Sequence, residues 1–476
     1  MQKDDQEYFG SKHFLELLKT YEDSANSGHP VYMDADDLAD IADYYQFNGR
    51  QADAEEAIRL AEKFNDHAVG PLLYRAREAL VKKDFDTARD YVGIIKVVDD
   101  VEAHFLKGEI LVCEGKTEEA DELFRQYLKD EVPDDEAMDY IYDVANIFSE
   151  YNVFDKALEW MFRSKGDDSD DFKELMARVL FGLGKYKDSE KIFNELIDHN
   201  PYSNKYWNAL ASTQFMLEDY SSAITSSEYA IAIDPNDADG LLSKANSLFN
   251  LDNYEAALAC FEKYSEKMPD DEFGHLHQGT CLLNTGRYED AIKRLKKAEM
   301  TAKEGSPYLP EIYQELAFAY SELQQPETAV EYLDKTEDLD CDHINMQITK
   351  GHVMLANNKK NEAEKLFKKA LEDSDNSPHV MLRIIVSLYD NKYLSSTYNL
   401  MKNFLNNMVD EDWKDGYSYM ALCCMELKKY DEALEYIKIA CEKNPKEAKV
   451  ALNSYFPKDM EPKDYYDYLI NKLKES

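Results

Sequence analysis

Small residues recur in this chain at an interval of 34 residues, and this interval restricts the folds that the chain can adopt. Stepping from Ala211 and Ala223 leads forward to Ala245, Ala257, Gly279 and Ala291, and backward to Ala177 and Ser189. Other residue types keep the same interval, at Tyr186, Tyr220, Tyr254, Tyr288, Pro201, Pro235 and Pro269. Self-similarity at a fixed period of this length indicates a stack of repeated structural units.

Each repeat has the pattern of two helices joined by a short turn. Residues 204–217 and 221–233 place apolar side chains at helical spacing, and the polar sequence LEDY separates them. A proline follows the second helix, where its ring and missing N–H prevent the helix from continuing. A single helical hairpin cannot bury both of its faces, so neighbouring hairpins have to stack.

The small residues mark the points where two helices cross closely, because only small side chains allow close approach there. Following the register gives twelve candidate repeats, with first-helix positions at Ala42, Ala76, Gly108, Ala145, Ala177, Ala211, Ala245, Gly279, Ala317, Gly351, Ile385 and Ala421. The matching second-helix positions are Ala54, Ala88, Ala120, Ala157, Ser189, Ala223, Ala257, Ala291, Ala329, Ala363, Thr397 and Ala433. We expect the repeat around Ile385, which lacks a small first-helix residue, to be the least regular.

This pattern resembles the tetratricopeptide repeat (TPR), with W-x2-L-G-x2-Y in the first helix and A-x3-F, then A and P, in the second. The repeat over residues 206–235 matches at Trp207, Leu210, Ala211, Ala223, Ala230 and Pro235. It departs at Gln214 and Ser227, where the family prefers aromatic residues. The resemblance implies an all-α fold, a right-handed α-α superhelical solenoid of about twelve TPR helical hairpins with capping helices at both ends.

The resemblance also divides the chain into three parts. We expect an N-terminal capping helix within residues 1–34, the TPR array over 35–447, and a C-terminal capping helix within 448–476. Apolar side chains form one face of each capping segment, at Phe14, Leu17, Leu18 and Tyr21 in the first and at Tyr466, Leu469, Ile470 and Leu473 in the second.

The chain carries a formal net charge of −41, which argues against several classes of partner. An excess of carboxylates repels both nucleic acid phosphates and anionic membranes, so we expect neither as a partner. Residues 1–150 hold 37 Asp and Glu but only 16 Lys and Arg, a net charge of −21. Such a region would steer a basic partner toward itself; alternatively, its carboxylates only solvate exposed helix faces.

Catalytic and cofactor motifs are not found in the sequence, so we predict no enzyme activity, no catalytic or metal site and no cofactor. The seven cysteines lack the paired spacing of a disulfide framework, and the adjacent Cys423 and Cys424 are interpreted as buried small hydrophobes. The N-terminal sequence MQKDDQEYFGSKHFLELLKT contains no apolar stretch of signal-peptide length, and no segment resembles a membrane helix. We therefore expect a cytoplasmic protein.

The resemblance implies a binding groove lined by the first helices of successive repeats. The family's groove positions in the middle repeats fall on Lys205, Asn208, Ser212, Phe215, Ser243, Asn246, Phe249, Asn250, His277, Thr280 and Asn284. Asparagine amides can donate to and accept from the backbone of a bound peptide, and the phenylalanines offer apolar contact. Alternatively, these side chains are ordinary solvated helix positions.

The function that the resemblance implies is that of a non-catalytic scaffold or adaptor, which binds peptide segments or partner proteins in its concave groove. An alternative is a subunit or regulatory arm of an enzyme complex, with a site assembled on the superhelix. Such a site would need a cluster of titratable groups, which the sequence does not reveal. The sequence also leaves open the oligomeric state, and whether the groove or the acidic N-terminal third is the main binding surface.

Overall fold

The computed structural model of the protein describes residues 8–27, 33–95, 101–164, 166–457 and 460–475. These residues divide into two compact units, residues 1–218 and 219–476. The described part of both units is built from α-helices and short 3-10 turns without a β-strand, which confirms the all-α prediction. No helix in these ranges is both long enough and apolar enough to cross a membrane. The predicted absence of a signal peptide concerns a segment whose first seven residues lie outside the described ranges.

The first unit contains helices α1 Lys12–Ser27, α2 Ala35–Phe47, α3 Gln51–Phe64, α4 Val69–Val81, α5 Phe85–Ile94, α6 Val101–Cys113, α7 Thr117–Asp130, α8 Ala137–Glu150, α9 Phe154–Met161, α10 Asp170–Gly182, α11 Tyr186–His199 and α12 Asn204–Met216. Helices α2 to α11 form five hairpins, which pack side by side in chain order.

The second unit contains α13 Tyr220–Ile233, α14 Ala238–Asn250, α15 Tyr254–Lys267, α16 Glu272–Asn284, α17 Tyr288–Thr301, α18 Leu309–Glu322, α19 Pro326–Asp334, α20 His343–Ala356, α21 Lys360–Asp373, α22 Pro378–Asp390, α23 Leu394–Asn407, α24 Tyr417–Glu426, α25 Tyr430–Lys443, α26 Pro445–Leu452 and α27 Tyr465–Glu475. Helices α14 to α25 form six further hairpins. The two helices of the predicted sixth repeat thus fall in different units, α12 in the first and α13 in the second.

Capping side chains and left-handed turn residues mark the ends of the helices. Asp and Ser side chains cap several helices; Asp84, for example, accepts a hydrogen bond from the backbone N–H of Thr87. Each of the twelve turns inside a predicted repeat contains one residue with a positive φ, such as Gly115 at 76° or Lys392 at 63°. This left-handed residue reverses the chain after the first helix, so the turns follow the predicted period.

All twenty-four positions of the small-residue register are buried. The glycines in this register show why the positions are small. A Cβ added to Gly108 would lie 1.9 Å from Phe124 Cζ, and one added to Gly351 would lie 2.3 Å from Phe367 Cε1. In these two repeats, a large residue of the second helix therefore packs directly on the small residue of the first helix. Ile385, the exception in the register, is also fully buried.

The terminal helices pack against their neighbours through apolar faces. In α1, Phe14, Leu18 and Tyr21 are buried, and the Tyr21 ring lies 6.2 Å from that of Tyr45 in α2. In α27, the buried aromatic residue is Tyr465, one position before the expected Tyr466, and its ring stacks on Phe456 at 3.7 Å. A 3-10 turn over Pro462–Asp464 precedes α27, and the predicted Tyr466, Leu469 and Ile470 are partly buried. The side chain of Leu473 lies outside the described part.

Candidate functional site

The predicted groove residues fall on the first helices of three repeats. Four of them belong to α12 in the first unit, where the Lys205 ammonium pairs with the carboxylate of Glu174 on α10. Lys205 and Ser212 are exposed, whereas Asn208 and Phe215 are partly buried. The N-terminus of α12 is held by Ser203, whose hydroxyl accepts from the backbone N–H of Tyr206.

The other seven predicted residues lie in the second unit, on α14 and α16. Phe249 of α14 and His277 of α16 come together, with ring centroids 6.1 Å apart. The Asn250 side-chain amide donates a hydrogen bond to the carbonyl of Asn246 at 2.9 Å, so one of its donor hydrogens is already used within α14. Of this group, Ser243, Asn246, Phe249, His277 and Thr280 are partly buried, and Asn250 and Asn284 are exposed.

His277 sits among aromatic side chains. Its ring stacks on Phe261 at 5.3 Å and meets the edge of Phe273 at 4.1 Å. Burial lowers the pKa of His277 to about 4, so the imidazole is neutral at physiological pH. Any contact that it makes with a ligand would therefore be made by an uncharged ring.

A cleft of about 650 Å³ opens along the first helices of four successive repeats in the second unit. Helices α16, α18, α20 and α22 supply its lining, and we call it the amide cleft after its Asn and Gln side chains. It is lined by Thr280, Leu283, Asn284, Gln314, Glu315, Phe318, Asn345, Thr349 and Arg383. Two predicted groove residues, Thr280 and Asn284, are thus brought together with seven residues that sequence reasoning missed.

Local hydrogen bonds position the polar side chains of the amide cleft. Asn284 Nδ2 donates to the carbonyl of Thr280 at 2.9 Å, and Thr349 Oγ1 donates to that of Asn345 at 3.0 Å. The Arg383 guanidinium donates to Asn345 Oδ1 across the gap between α22 and α20. The cleft therefore presents oriented amides and hydroxyls, beside the apolar side chains of Leu283 and Phe318.

Glu315 is the acidic group of the amide cleft. Its side chain is partly buried, and this burial raises the pKa of Glu315 to about 7, with a further contribution from the charge of Glu311 one turn earlier. The carboxyl is consequently poised to change its charge near neutral pH. Arg383, from α22, is the cationic side chain on the same lining.

The register contained a signal for part of the amide cleft. Phe318 follows the small residue Ala317 in the same way that Thr280 follows Gly279, so extending the groove positions by one repeat would have reached it. Glu315 and Arg383 lie two positions before the register residues Ala317 and Ile385, as His277 lies two positions before Gly279, so the same extension would have reached them as well. Their placement in one cleft depends on how α18 and α22 pack.

The acidic N-terminal region also places carboxylates on a first helix. Asp36, Asp40 and Asp43 lie on α2, and Asp40 accepts a hydrogen bond from the Tyr8 hydroxyl at 2.6 Å. Burial raises the pKa of Asp40, so this carboxylate is not simply a solvated surface group. Arg77 of α4 contacts Asp43 at 3.7 Å.

Cysteine chemistry plays no visible part in these surfaces. All seven cysteines are free, and Cys423 and Cys424 are fully buried, which confirms their interpretation as small core residues. Burial raises the pKa of both thiols, to about 11 and about 12. Within the described ranges, no group of three or more His, Cys, Asp or Glu side chains is arranged to hold a metal ion.

Three family profiles match the middle of the chain. Two are described as tetratricopeptide repeat and match residues 175–238 and 310–340. The third, described as anaphase-promoting complex, cyclosome, subunit 3, matches residues 216–298. All three matches lie within the predicted array, and the resemblance stated from the repeat pattern is confirmed.

Solved structures of other proteins resemble the chain only loosely. A MamA protein from Desulfovibrio magneticus RS-1 is 19% identical, covering 37% of this chain and 96% of its own, with a TM-score of 0.34. In the APC/C hetero-tetramer Cut9-Hcn1, one chain is 15% identical in sequence to this chain. The match covers 95% of this chain and 98% of that chain, with a TM-score of 0.35. No curated protein sequence matches the chain.

Proposed function

We propose, from the premise that the chain is a tetratricopeptide repeat protein, that it is a non-catalytic scaffold or adaptor binding extended segments of partner proteins. The observation that carries this proposal is the amide cleft, which runs across the first helices of four successive repeats. We propose in addition that the chain acts in the cytoplasm. The division into a capping helix within 1–34, an array over 35–447 and a second cap within 448–476 is likewise our proposal.

The lining of the amide cleft suits an extended peptide. Asn284, Gln314 and Asn345 each carry a donor and an acceptor, so they can bond a peptide backbone whatever its side chains are. Phe318 and Leu283 offer apolar contact for one or two side chains of the segment. We propose that the remaining predicted groove residues, on α12 and α14 and at His277 on α16, extend the binding surface within their own units.

A peptide selection tests this proposal directly. Twelve-residue random peptides displayed on phage would be selected on the full chain, and the affinity of one selected peptide measured by fluorescence anisotropy. We expect Asn284→Ala with Asn345→Ala to weaken binding about 5- to 150-fold, because each lost hydrogen bond contributes about 0.5–1.5 kcal/mol. A matched control is Asn403→Ala with Asn407→Ala, an exposed amide pair on the second helix α23.

The outcomes separate the candidate functions. Equal losses in the two double variants would count against the amide cleft as the binding site. Turnover of a bound segment, such as cleavage or modification, would favour the alternative of an enzyme subunit, for which the raised pKa of Glu315 is the supporting observation.

The acidic N-terminal third is the competing surface. Replacing Asp36, Asp40 and Asp43 by Asn should slow the association of a basic peptide and flatten its salt dependence, while barely changing dissociation. Stopped-flow association at several salt concentrations measures this. A selected peptide that tolerates the cleft variants but loses binding on this neutralisation would make the N-terminal third the main site.

A further inference from the structure

Resting on the proposed function, we infer that the segment bound in the amide cleft presents a lysine or arginine side chain to the carboxylate of Glu315. The cleft would thus select a cationic side chain at one position of its ligand. The amides bond the ligand backbone without regard to sequence, whereas this carboxylate supplies the selectivity.

The charge distribution in the amide cleft supports this assignment. Among the described residues, no lysine or arginine forms an ion pair with Glu315, and its charged neighbour on the same helix is another carboxylate, Glu311. Arg383 lies on the same lining but donates to the amide oxygen of Asn345. The described residues therefore leave this partly buried carboxylate without a counter-ion, and a ligand cation would supply it.

The other lining residues do not provide that compensation. Helix α16 contributes Thr280, Leu283 and Asn284, and α20 contributes Asn345 and Thr349, none of which carries a charge. An opposite charge stabilises a partly buried carboxylate most when hydrogen bonds to neighbouring groups hold the two charges in good geometry. An acidic ligand side chain would instead meet repulsion from Glu315 and Glu311.

The same arrangement makes capture depend on pH. Burial and the charge of Glu311 raise the pKa of Glu315 to about 7, so the carboxyl is mostly protonated at pH 6 and mostly ionised at pH 8. A lysine ammonium stays charged across this range. Only the ionised carboxylate pairs with it, so affinity should rise about tenfold from pH 6 to pH 8, following the ionised fraction. The charged groups near Glu315 are Glu311, one turn earlier on α18, and Arg383, on the lining of the amide cleft.

The test extends the peptide selection. Libraries would be selected at pH 8 on the full chain and on Glu315→Gln, and one histidine-free peptide chosen by the wild type would be titrated at pH 6 and 8. We expect wild-type selection to enrich lysine or arginine at one position and Glu315→Gln to lose both the enrichment and the pH dependence. Replacing that basic residue by norleucine should have the same effect as the protein variant.

Two further variants test whether Glu315 itself causes the pH dependence. Glu311→Gln removes the repelling neighbour, so the midpoint of the pH dependence should move to lower pH while binding at pH 8 is retained. Glu331→Gln, an exposed position on α19, is the matched control and should behave as the wild type. Circular dichroism at both pH values would confirm that each variant is folded.

The results distinguish this inference from the proposed function. Peptides that need Asn284 and Asn345 but show no preference for a basic residue, or that keep the pH dependence in Glu315→Gln, would overturn the inference alone. A selection that yields no peptide sensitive to the two asparagines would overturn the proposed function, and the inference with it.

Discussion

Replacing Gly108 by alanine tests the packing of the repeats. Gly108 lies in α6 at a register position, and an added Cβ would come within 1.9 Å of Cζ, 2.4 Å of Cε1 and 2.7 Å of Cε2 of Phe124 in α7. These distances are far below van der Waals contact, so either the ring or the helix has to move.

The Phe124 ring has little room to move. It is fully buried, and its centroid lies 5.7 Å from that of Phe148 and 6.3 Å from that of Trp160, both in edge-on contact. Overpacking of this kind costs about 1–3 kcal/mol. Alanine recovers about 1 kcal/mol through its higher helix propensity. The net destabilisation is therefore about 0–2 kcal/mol, and we expect a value near the upper end because the overlap is severe.

The assay is thermal and urea unfolding of the full chain, followed by circular dichroism and by tryptophan fluorescence, to which Trp160, Trp207 and Trp413 contribute. The matched control is Gly93→Ala, since a Cβ added to Gly93 in α5 meets nothing within 4 Å. That variant should be as stable as the wild type or gain up to about 1 kcal/mol. If Gly108→Ala unfolds at the same temperature as Gly93→Ala, the register of small residues does not mark helix contacts.

Three other perturbations have definite expected outcomes. Asp121 is 2% exposed; it accepts a hydrogen bond from Trp160 Nε1 at 2.8 Å and pairs with Lys156 at 3.1 Å. We therefore expect Asp121→Ala to lower the free energy of unfolding by about 3–5 kcal/mol in denaturant titrations. A decrease of less than about 1 kcal/mol would contradict a stabilising role for these contacts. Because the pKa of Glu315 is raised on folding, the native state holds a proton between pH 4.5 and about 7 that the unfolded state releases. Relative to Glu315→Gln, the wild type should thus lose about 2–3 kcal/mol of stability as the pH rises through this window, and a constant difference would rule out the shift. Ala245→Leu should overpack its hairpin and lower stability by about 1–3 kcal/mol, whereas an unchanged thermal melt would mean that the register is misplaced there.

The repeat architecture was predictable because its cause is local. Contact between Gly351 and Phe367 needs residues at a fixed spacing within one hairpin, and this spacing is visible in the chain. The eleventh repeat was the weakest prediction, yet α22 and α23 form a hairpin with Ile385 and Thr397 both buried. Further from the hairpin contacts, the sequence was less informative. In α27, Tyr465 is fully packed, whereas the predicted Tyr466 is only partly buried.

The binding surface was only partly predictable. Thr280 and Asn284 were found from the family's groove positions, and both line the amide cleft. Glu315 was missed because the groove positions were not extended to its repeat, where it stands two residues before Ala317, and its raised pKa arises from burial, which no local pattern encodes. His277 was predicted as a groove residue from its position alone, and its packing against Phe261 depends on the side chains that surround it.

Site-specific photo-crosslinking tests the central claim most directly. A benzoylphenylalanine would replace Asn284 at the amide cleft in one variant and Glu331 on the second helix α19 in another, both exposed positions. Each variant would be irradiated with a peptide selected on the wild-type chain, and the adducts mapped by mass spectrometry. We predict a peptide adduct from position 284 and none from position 331. Adducts from position 331 alone, or equal yields from the two positions, would contradict binding in the amide cleft.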